Sequence, residues 1–123
     1  MVMAALRPLL LILSCMLMLA PGAVARAQTS ASDPLQIQLK SYTDAIGIKD
    51  ATRRAQALEV FIAWYPNSEL RIAAYEQLMA SWQIANSPAK ADAAAAKLLQ
   101  IDPDNVRAYA NRAYVGRAKA AAG

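Results

Sequence analysis

Four prolines interrupt the second part of this chain, Pro34, Pro66, Pro88 and Pro103, and Gly47 lies within the longest interval between them. Between them, apolar residues recur at spacings of three and four, which places them on one face of an α-helix. Proline is tolerated in the first turn of a helix but not in its interior, so these segments cannot fuse into one long element. The pattern therefore predicts several short amphipathic helices in series.

The composition favours helix over sheet. Alanine is the commonest residue, whereas β-branched residues are sparse and only 4 glycines occur. Alanine is the strongest helix former, and β-branched and aromatic residues are the ones enriched in strands. We therefore expect no strands.

Five helices are predicted. The first follows Asp33 as its cap and ends at Gly47, and the second covers about residues 50–64. Ser68 is the expected cap of the third, Ser87 that of the fourth, and the fifth starts near residues 104–105. The side chains expected to face inward are, in chain order, Leu35, Leu39, Tyr42, Ile46, Ala51, Ala55, Leu58, Phe61, Ile62, Tyr65, Tyr75, Leu78, Met79, Trp82, Ala91, Ala95, Leu98, Leu99, Val106, Tyr109, Ala110, Ala113 and Tyr114.

Residues 1–27 have the pattern of a secretory signal peptide. A short segment with one positive charge, Arg7, precedes an almost wholly apolar run at residues 9–20, which a proline-glycine pair ends. Ala25-Arg26-Ala27 fits the A-x-A rule for signal peptidase, and residues 23–25 fit it as well. We expect cleavage after Ala27 and a periplasmic or secreted protein, with a flexible lead-in at residues 28–33 before a domain at residues 34–121.

Two other interpretations of the first segment stay open. As an uncleaved membrane anchor, the apolar run is well short of the ~20 residues that span a bilayer. As a lipoprotein signal, residues 12–14 precede Cys15 somewhat like a lipobox, but the apolar run continues beyond that cysteine, where a mature lipoprotein would turn polar.

After the expected cleavage, the chain would have neither imidazole nor thiol side chains. The chain has no histidine, and its single cysteine lies in the apolar run. Imidazole and thiolate supply most near-neutral bases, soft metal ligands and activated nucleophiles. The Ser-x-x-Lys pattern at residues 87–90 lacks the companion elements of the penicillin-binding enzymes, and a helix cap explains its serine. We expect no enzyme activity, no cofactor and no metal.

The charge gives no argument for nucleic-acid binding. The chain has 13 basic and 9 acidic residues, and removal of Arg7 and Arg26 would leave 11 basic residues against the same 9. No acidic residue follows Asp104, so the last helix is basic. It is either the solvated end of the domain or a surface for anionic lipid or an acidic partner.

Two boundaries between predicted helices are alike: Tyr-Pro-Asn-Ser at residues 65–68 and Asp-Pro-Asp-Asn at residues 102–105. Each follows an amphipathic helix and has a helical hairpin on either side. This arrangement resembles the tetratricopeptide repeat (TPR), a helix-turn-helix unit of about 34 residues with a proline after its second helix. With Pro103 as that proline, the resemblance holds over one whole unit, residues 72–105. Its small and large core positions then fall on Ala91, Leu98, Tyr75, Leu78 and Trp82.

The chain departs from the repeat pattern at four positions. Met79 stands where the family has a small residue, and Ala95 stands where it has a larger apolar one. Arg54 occupies the small position of the first hairpin, and Arg112 occupies a leucine position of the last half-unit. The resemblance implies an all-α, short α-solenoid of antiparallel helix hairpins, with about two and a half TPR-like repeats.

In that family, the first helices of successive repeats line a concave surface that binds a protein or peptide partner. The resemblance therefore implies a non-catalytic scaffold or adaptor, similar to the exported TPR proteins of the bacterial envelope. Two alternatives use the last helix instead: peripheral contact with a membrane surface, or a homo-oligomer in which a second copy covers its far apolar side. The residues expected on or near the groove are Ile72, Tyr75, Glu76, Met79, Gln83, Tyr109 and Arg112.

Overall fold

Helices make up the part of the chain that the structure, a computed structural model, describes, which is residues 33–123. That part contains five α-helices and no strand, so the prediction of an all-helical fold is confirmed. The predicted signal peptide and residues 28–32 of the lead-in lie outside the described residues. The helices are α1 (Pro34–Ile46), α2 (Ala51–Trp64), α3 (Arg71–Ile84), α4 (Pro88–Ile101) and α5 (Val106–Ala122).

Each helix packs against the next one along the chain, and α3 also contacts α5. The connections cover residues 47–50, 65–70, 85–87 and 102–105. So few residues cannot carry the chain back along the length of a helix. Neighbouring helices that pack must therefore run antiparallel.

The core combines small and large side chains. Phe61, Leu58 and Leu98 are the largest apolar side chains that are fully buried. Small residues let helix backbones approach each other, and the large ones fill the remaining space, which is how an alanine-rich chain reaches core packing density. Alanines that are 0% exposed occur in four of the five helices: Ala55, Ala74, Ala91, Ala95 and Ala108.

The N-terminal half of α1 is less buried than its spacing predicts. Tyr42 and Ile46 pack against the core as expected. Leu35 and Leu39 are 48% and 41% exposed, so the prediction was wrong for the first two turns. Within residues 33–123, α1 packs closely only against α2, and less extensively than α2 packs against α3, so the described residues cover its apolar stripe only near the C-terminal end.

The last helix buries a different side from the one predicted. α5 buries Ala108, Asn111 and Val115, which are spaced three and four residues apart. At 100° per residue this side lies roughly opposite the predicted one. Within residues 33–123, only α3 and α4 pack closely on α5, so the described residues leave one of its two apolar sides uncovered. The residues predicted to face inward are exposed: Val106, Tyr109, Ala110, Ala113 and Tyr114.

The two boundaries that are alike in sequence also share their hydrogen bonds. In each, the residue after the helix donates its backbone N–H to the carbonyl four residues back, and its own carbonyl accepts from the residue three further on. These residues are Tyr65 and Ser68 at the first boundary and Asp102 and Asn105 at the second. The side chains of Ser68 and Asn105 are both buried, and each accepts a backbone N–H from the next turn. The likeness therefore extends from residue types to backbone geometry.

The residues at the starts of the helices differ in their cap geometry. Asp50 has an extended ψ of 121°, and its carboxylate accepts a backbone N–H of the first turn of α2. Ser87 directly precedes α4 as predicted, but its ψ is only 69° and its hydroxyl makes no cap hydrogen bond. Ser68 is not the cap that the sequence predicted, because α3 starts at Arg71 and the Ser68 hydroxyl accepts from Leu70, in the turn before it.

These geometries predict unequal effects of removing the two cap side chains. Asp50→Ala should lower the free energy of unfolding by about 1 kcal/mol, because a backbone N–H of α2 loses its acceptor. Ser87→Ala should change it by less than about 0.5 kcal/mol, since no cap hydrogen bond is lost. Urea denaturation followed by circular dichroism measures both values, and equal losses in the two variants would contradict the assignment.

Candidate functional site

A groove of about 390 Å³ lies between α3 and α5. We call it the α3–α5 groove. Its volume is at the lower end of the ~300–1,000 Å³ that ligand pockets occupy, which suits a few residues of a peptide better than a folded domain. The residues that line it are Glu76, Gln77, Met79, Ala80 and Gln83 from α3, and Arg107, Ala110, Asn111 and Tyr114 from α5.

Glu76 joins the two helices in the groove lining. Its Oε2 accepts from Arg107 Nη1 and its Oε1 accepts from Asn105 Nδ2, each at 3.0 Å. The Arg107 side chain is 72% exposed, and a guanidinium has five N–H donors, so Arg107 can bind a further acceptor.

Glu76 also affects a tyrosine outside the groove. Burial raises the pKa of the Tyr42 phenol in α1, and the negative charge of Glu76 raises it further. The Tyr42 hydroxyl is therefore protonated at neutral pH.

Two carboxamides meet between the helices. Gln83 Nε2 donates to Asn111 Oδ1. Gln83 is exposed, whereas Asn111 is only 5% exposed. The Nδ2 atom of Asn111 is buried and has no hydrogen-bond partner in the described part of the chain. A buried donor without a partner costs roughly 1–3 kcal/mol, so an acceptor that reached it would be bound favourably.

Apolar side chains complete the groove lining. Met79 is 3% exposed and belongs to the core, while Tyr114 is 56% exposed. A thioether adapts its shape to different neighbours, and a tyrosine offers a large contact area with little loss of rotamer freedom. The groove therefore combines an apolar contact surface with an arginine, a glutamate and three carboxamides.

The structure brings together some of the residues that the sequence predicted for the groove, namely Glu76, Met79 and Gln83. Ile72 precedes Glu76 by one helical turn and packs partly against the core. Tyr75 lines a different cleft, between α2 and α4. The five predicted residues of α3 thus lie on more than one side of that helix.

Arg112 and Tyr109 do not line the α3–α5 groove. Arg112 Nε donates to Asp92 Oδ1 of α4 at 3.1 Å, on the side of α5 that faces away from the groove. Tyr109 is 55% exposed and lies on the uncovered side of the helix. Both placements follow from the rotation of α5, which buries a different side from the one predicted.

Sequence reasoning missed the four groove residues of α5, which are Arg107, Ala110, Asn111 and Tyr114, and it also missed Gln77 and Ala80 of α3. One signal could have found Asn111, because it stands between Ala108 and Val115 at helical spacing. That stripe was not recognised because an asparagine at its centre lowers its apolar character. The competing stripe, with two tyrosines and a valine, gives a stronger apolar signal.

Comparisons with protein-family models, with curated proteins and with solved structures found no match to this chain. Across residues 33–123, no helix is long and apolar enough to cross a bilayer. Within the same residues, no group of three or more His, Cys, Asp or Glu side chains could hold a metal ion. The function of the chain therefore has to be inferred from its surfaces.

Proposed function

We propose that this chain is an exported, non-catalytic, TPR-like adaptor that holds a peptide segment of a protein partner in the α3–α5 groove. The pattern of residues 1–27 supports export to the periplasm or out of the cell. Consecutive antiparallel packing and the two matching boundaries support a short solenoid of about two and a half helix hairpins.

The observation that carries the binding proposal is the buried, unpartnered Nδ2 atom of Asn111. Asn111 Oδ1 already accepts from the exposed Gln83, so a peptide carbonyl that entered the groove beside Gln83 would pair with the Nδ2 donor and leave that bond in place. Arg107 would bind a second acceptor, and Tyr114 would pack against an apolar side chain of the same segment. An extended peptide offers carbonyls and side chains together, which is why we favour it over a small polar ligand.

Ala110→Arg tests the groove, because this exposed alanine lines it and a long cationic side chain would fill it. The purified chain serves as bait for proteins from an envelope fraction, and captured proteins are quantified by mass spectrometry. Proteins that bind the groove should be captured at least about tenfold less by this variant, the effect of losing one central contact.

Ala113→Arg is the matched control, since Ala113 is also exposed on α5 but is not among the residues that line the groove. It should capture the same proteins as the unmodified chain. Equal capture by all three forms would remove the assignment of the groove. Loss with Ala113→Arg alone would favour the uncovered side of α5 instead.

Two other uses of α5 receive unequal support. For self-association, the favouring observation is the uncovered apolar side that carries Val106 and Tyr109. For a membrane surface, the support is weaker, because the pairing of Arg112 with Asp92 neutralises one of the basic side chains of α5. Sedimentation velocity tests the first, and salt-dependent co-sedimentation with anionic liposomes tests the second.

A further inference from the structure

A second and larger cleft, of about 540 Å³, lies between α2 and α4 on the other side of α3. We call it the α2–α4 cleft. Ile62, Leu78 and Ala94 give it an apolar lining. Its charged side chains are Glu59 from α2 and Lys90 and Lys97 from α4, so positive charge exceeds negative. The cleft lies outside the α3–α5 groove, and what it binds is a separate question from the function proposed above.

Lys90 is positioned by an aromatic ring. Its Nζ lies 4.3 Å from the centroid of the Trp82 ring, and Trp82 is only 2% exposed. The indole Nε1 of the same residue donates to Glu59 Oε1 at 3.3 Å. A cation over a buried aromatic face is held without neutralisation of its charge. The ammonium group of Lys90 is therefore fixed in position and still able to bind an anion.

The second lysine is also available to an anion. No ion pair within residues 33–123 includes Lys90 or Lys97. The two lysines are seven residues apart, which places them on one face of α4 with about 10 Å of helix axis between them. Lys90 and Lys97 thus offer two separated positive charges beside an apolar surface.

We infer that the α2–α4 cleft binds an acidic peptide segment in which two carboxylates flank an apolar side chain. An extended peptide places residues i, i+2 and i+4 on one face over about 13 Å, a span that two flexible lysine stems can match. The carboxylates pair with Lys90 and Lys97, and the apolar side chain between them packs on Ile62 and Leu78. Glu59 repels acidic side chains on the α2 side and so fixes which side of the peptide faces α4.

A lipid surface fits this cleft less well than a peptide does. A bilayer is flat on the scale of a helix pair, so its head groups would meet the lysines without reaching the apolar lining between α2 and α4. A peptide side chain of leucine size can enter a cleft of this volume. The charge and the shape of the cleft therefore favour the same occupant.

The test uses the full chain, labelled with ¹⁵N, and the probe peptide acetyl-Glu-Ser-Leu-Ser-Glu-amide followed by amide chemical shifts. Binding should be saturable and should shift the amides of Ala93, Ala94 and Lys97. The matched peptide with glutamine in place of both glutamates should bind at least about tenfold more weakly. Lys97→Gln should weaken binding of the acidic peptide by about two- to fivefold, the effect of one exposed ion pair.

Two further variants separate charge from shape. Ala93→Leu keeps every charge but narrows the cleft at an exposed position, and it should abolish binding while leaving the helical circular dichroism spectrum unchanged. Lys49→Gln removes an exposed lysine outside the cleft and should leave binding unchanged. Ala110→Arg in the other groove should also leave it unchanged, so this inference and the proposed function can fail separately.

Several results would overturn the inference. One is the absence of saturable binding to the unmodified chain, and another is equal affinity for the glutamate and glutamine peptides. Unchanged peptide binding by Ala93→Leu would mean that the peptide binds outside this cleft. Binding of phosphatidylglycerol vesicles that depends on Lys97, with no binding of the peptide, would assign the lysines to a membrane surface instead.

Discussion

Phe61→Ala should lower the free energy of unfolding by about 3–5 kcal/mol, the largest loss that we expect from any single substitution in this chain. Phe61 is 1% exposed. Its ring centroid lies 5.8 Å from that of Tyr42 in α1 and 5.2 Å from that of Tyr65 at the end of α2. The substitution removes both aromatic contacts and leaves a cavity between α1 and α2. Because a whole domain is stable by only about 5–15 kcal/mol, much of the population should unfold at moderate temperature.

Two matched variants separate the loss of packing from a general effect of substitution in α2. Phe61→Leu keeps an apolar side chain of moderate size and should cost less than about 1.5 kcal/mol. Val60→Ala changes the preceding residue, which is 56% exposed, and should stay within about 0.5 kcal/mol of the unmodified chain. Urea denaturation followed by circular dichroism gives all three values. A loss below about 1.5 kcal/mol in Phe61→Ala would mean that this ring is not the packing centre between α1 and α2.

The sequence predicted the middle of the fold better than its ends. Leu58, Trp82 and Leu98 lie in helices with a neighbour on both sides along the chain, and all three are buried as expected. Each of these helices has one apolar stripe in its sequence, and that stripe is the side that packs against the neighbouring helices. In α1 and α5 the spacing does not say how much of an apolar stripe a neighbour covers, and both Leu35 and Val106 are exposed.

The same limit applies to the candidate groove. Its α3 side was predicted in part, because the burial of Leu78 and Trp82 fixes the rotation of that helix and with it the direction of Glu76 and Gln83. Its α5 side was not predicted. The rotation of α5 depends on which of its two apolar sides is covered, and the spacing of apolar residues does not show this. Periodicity gives the faces of a helix but not their partners, so a site between two helices needs tertiary contacts to be located.

Arg54 is a position where the sequence departs from the repeat pattern, and the structure gives a physical reason for a large residue there. Its Nε donates to Ser81 Oγ at 2.9 Å, and its Nη1 donates to the carbonyls of Ile48 and Lys49 at 2.9 and 3.3 Å. Ser81 is 0% exposed, and its hydroxyl donates in turn to Gln77 O at 2.7 Å. The guanidinium thus links α3 to the connection between α1 and α2.

Arg54→Ala should therefore lower the free energy of unfolding by about 2–4 kcal/mol, because the partly buried Ser81 Oγ and Ile48 carbonyl lose a charged donor. Arg54→Lys should recover less than half of that loss. One ammonium group cannot replace a planar guanidinium that contacts one oxygen in α3 and two in the connection between α1 and α2. Urea denaturation of both variants, with thermal melts as a second readout, measures the difference.

Arg53→Ala provides the matched control, because Arg53 precedes Arg54 in α2 but is exposed. Its effect should stay within about 0.5 kcal/mol. Ser81→Ala combined with Arg54→Ala should destabilise by less than the sum of the two single losses, since each single variant already breaks the bond between them. Equal losses of unfolding free energy in Arg53→Ala and Arg54→Ala would mean that the Arg54 guanidinium contributes no more to stability than an exposed surface charge. In that case the connection between α1 and α2 would have to be held by Ala45, Phe61 and the rest of the apolar core alone.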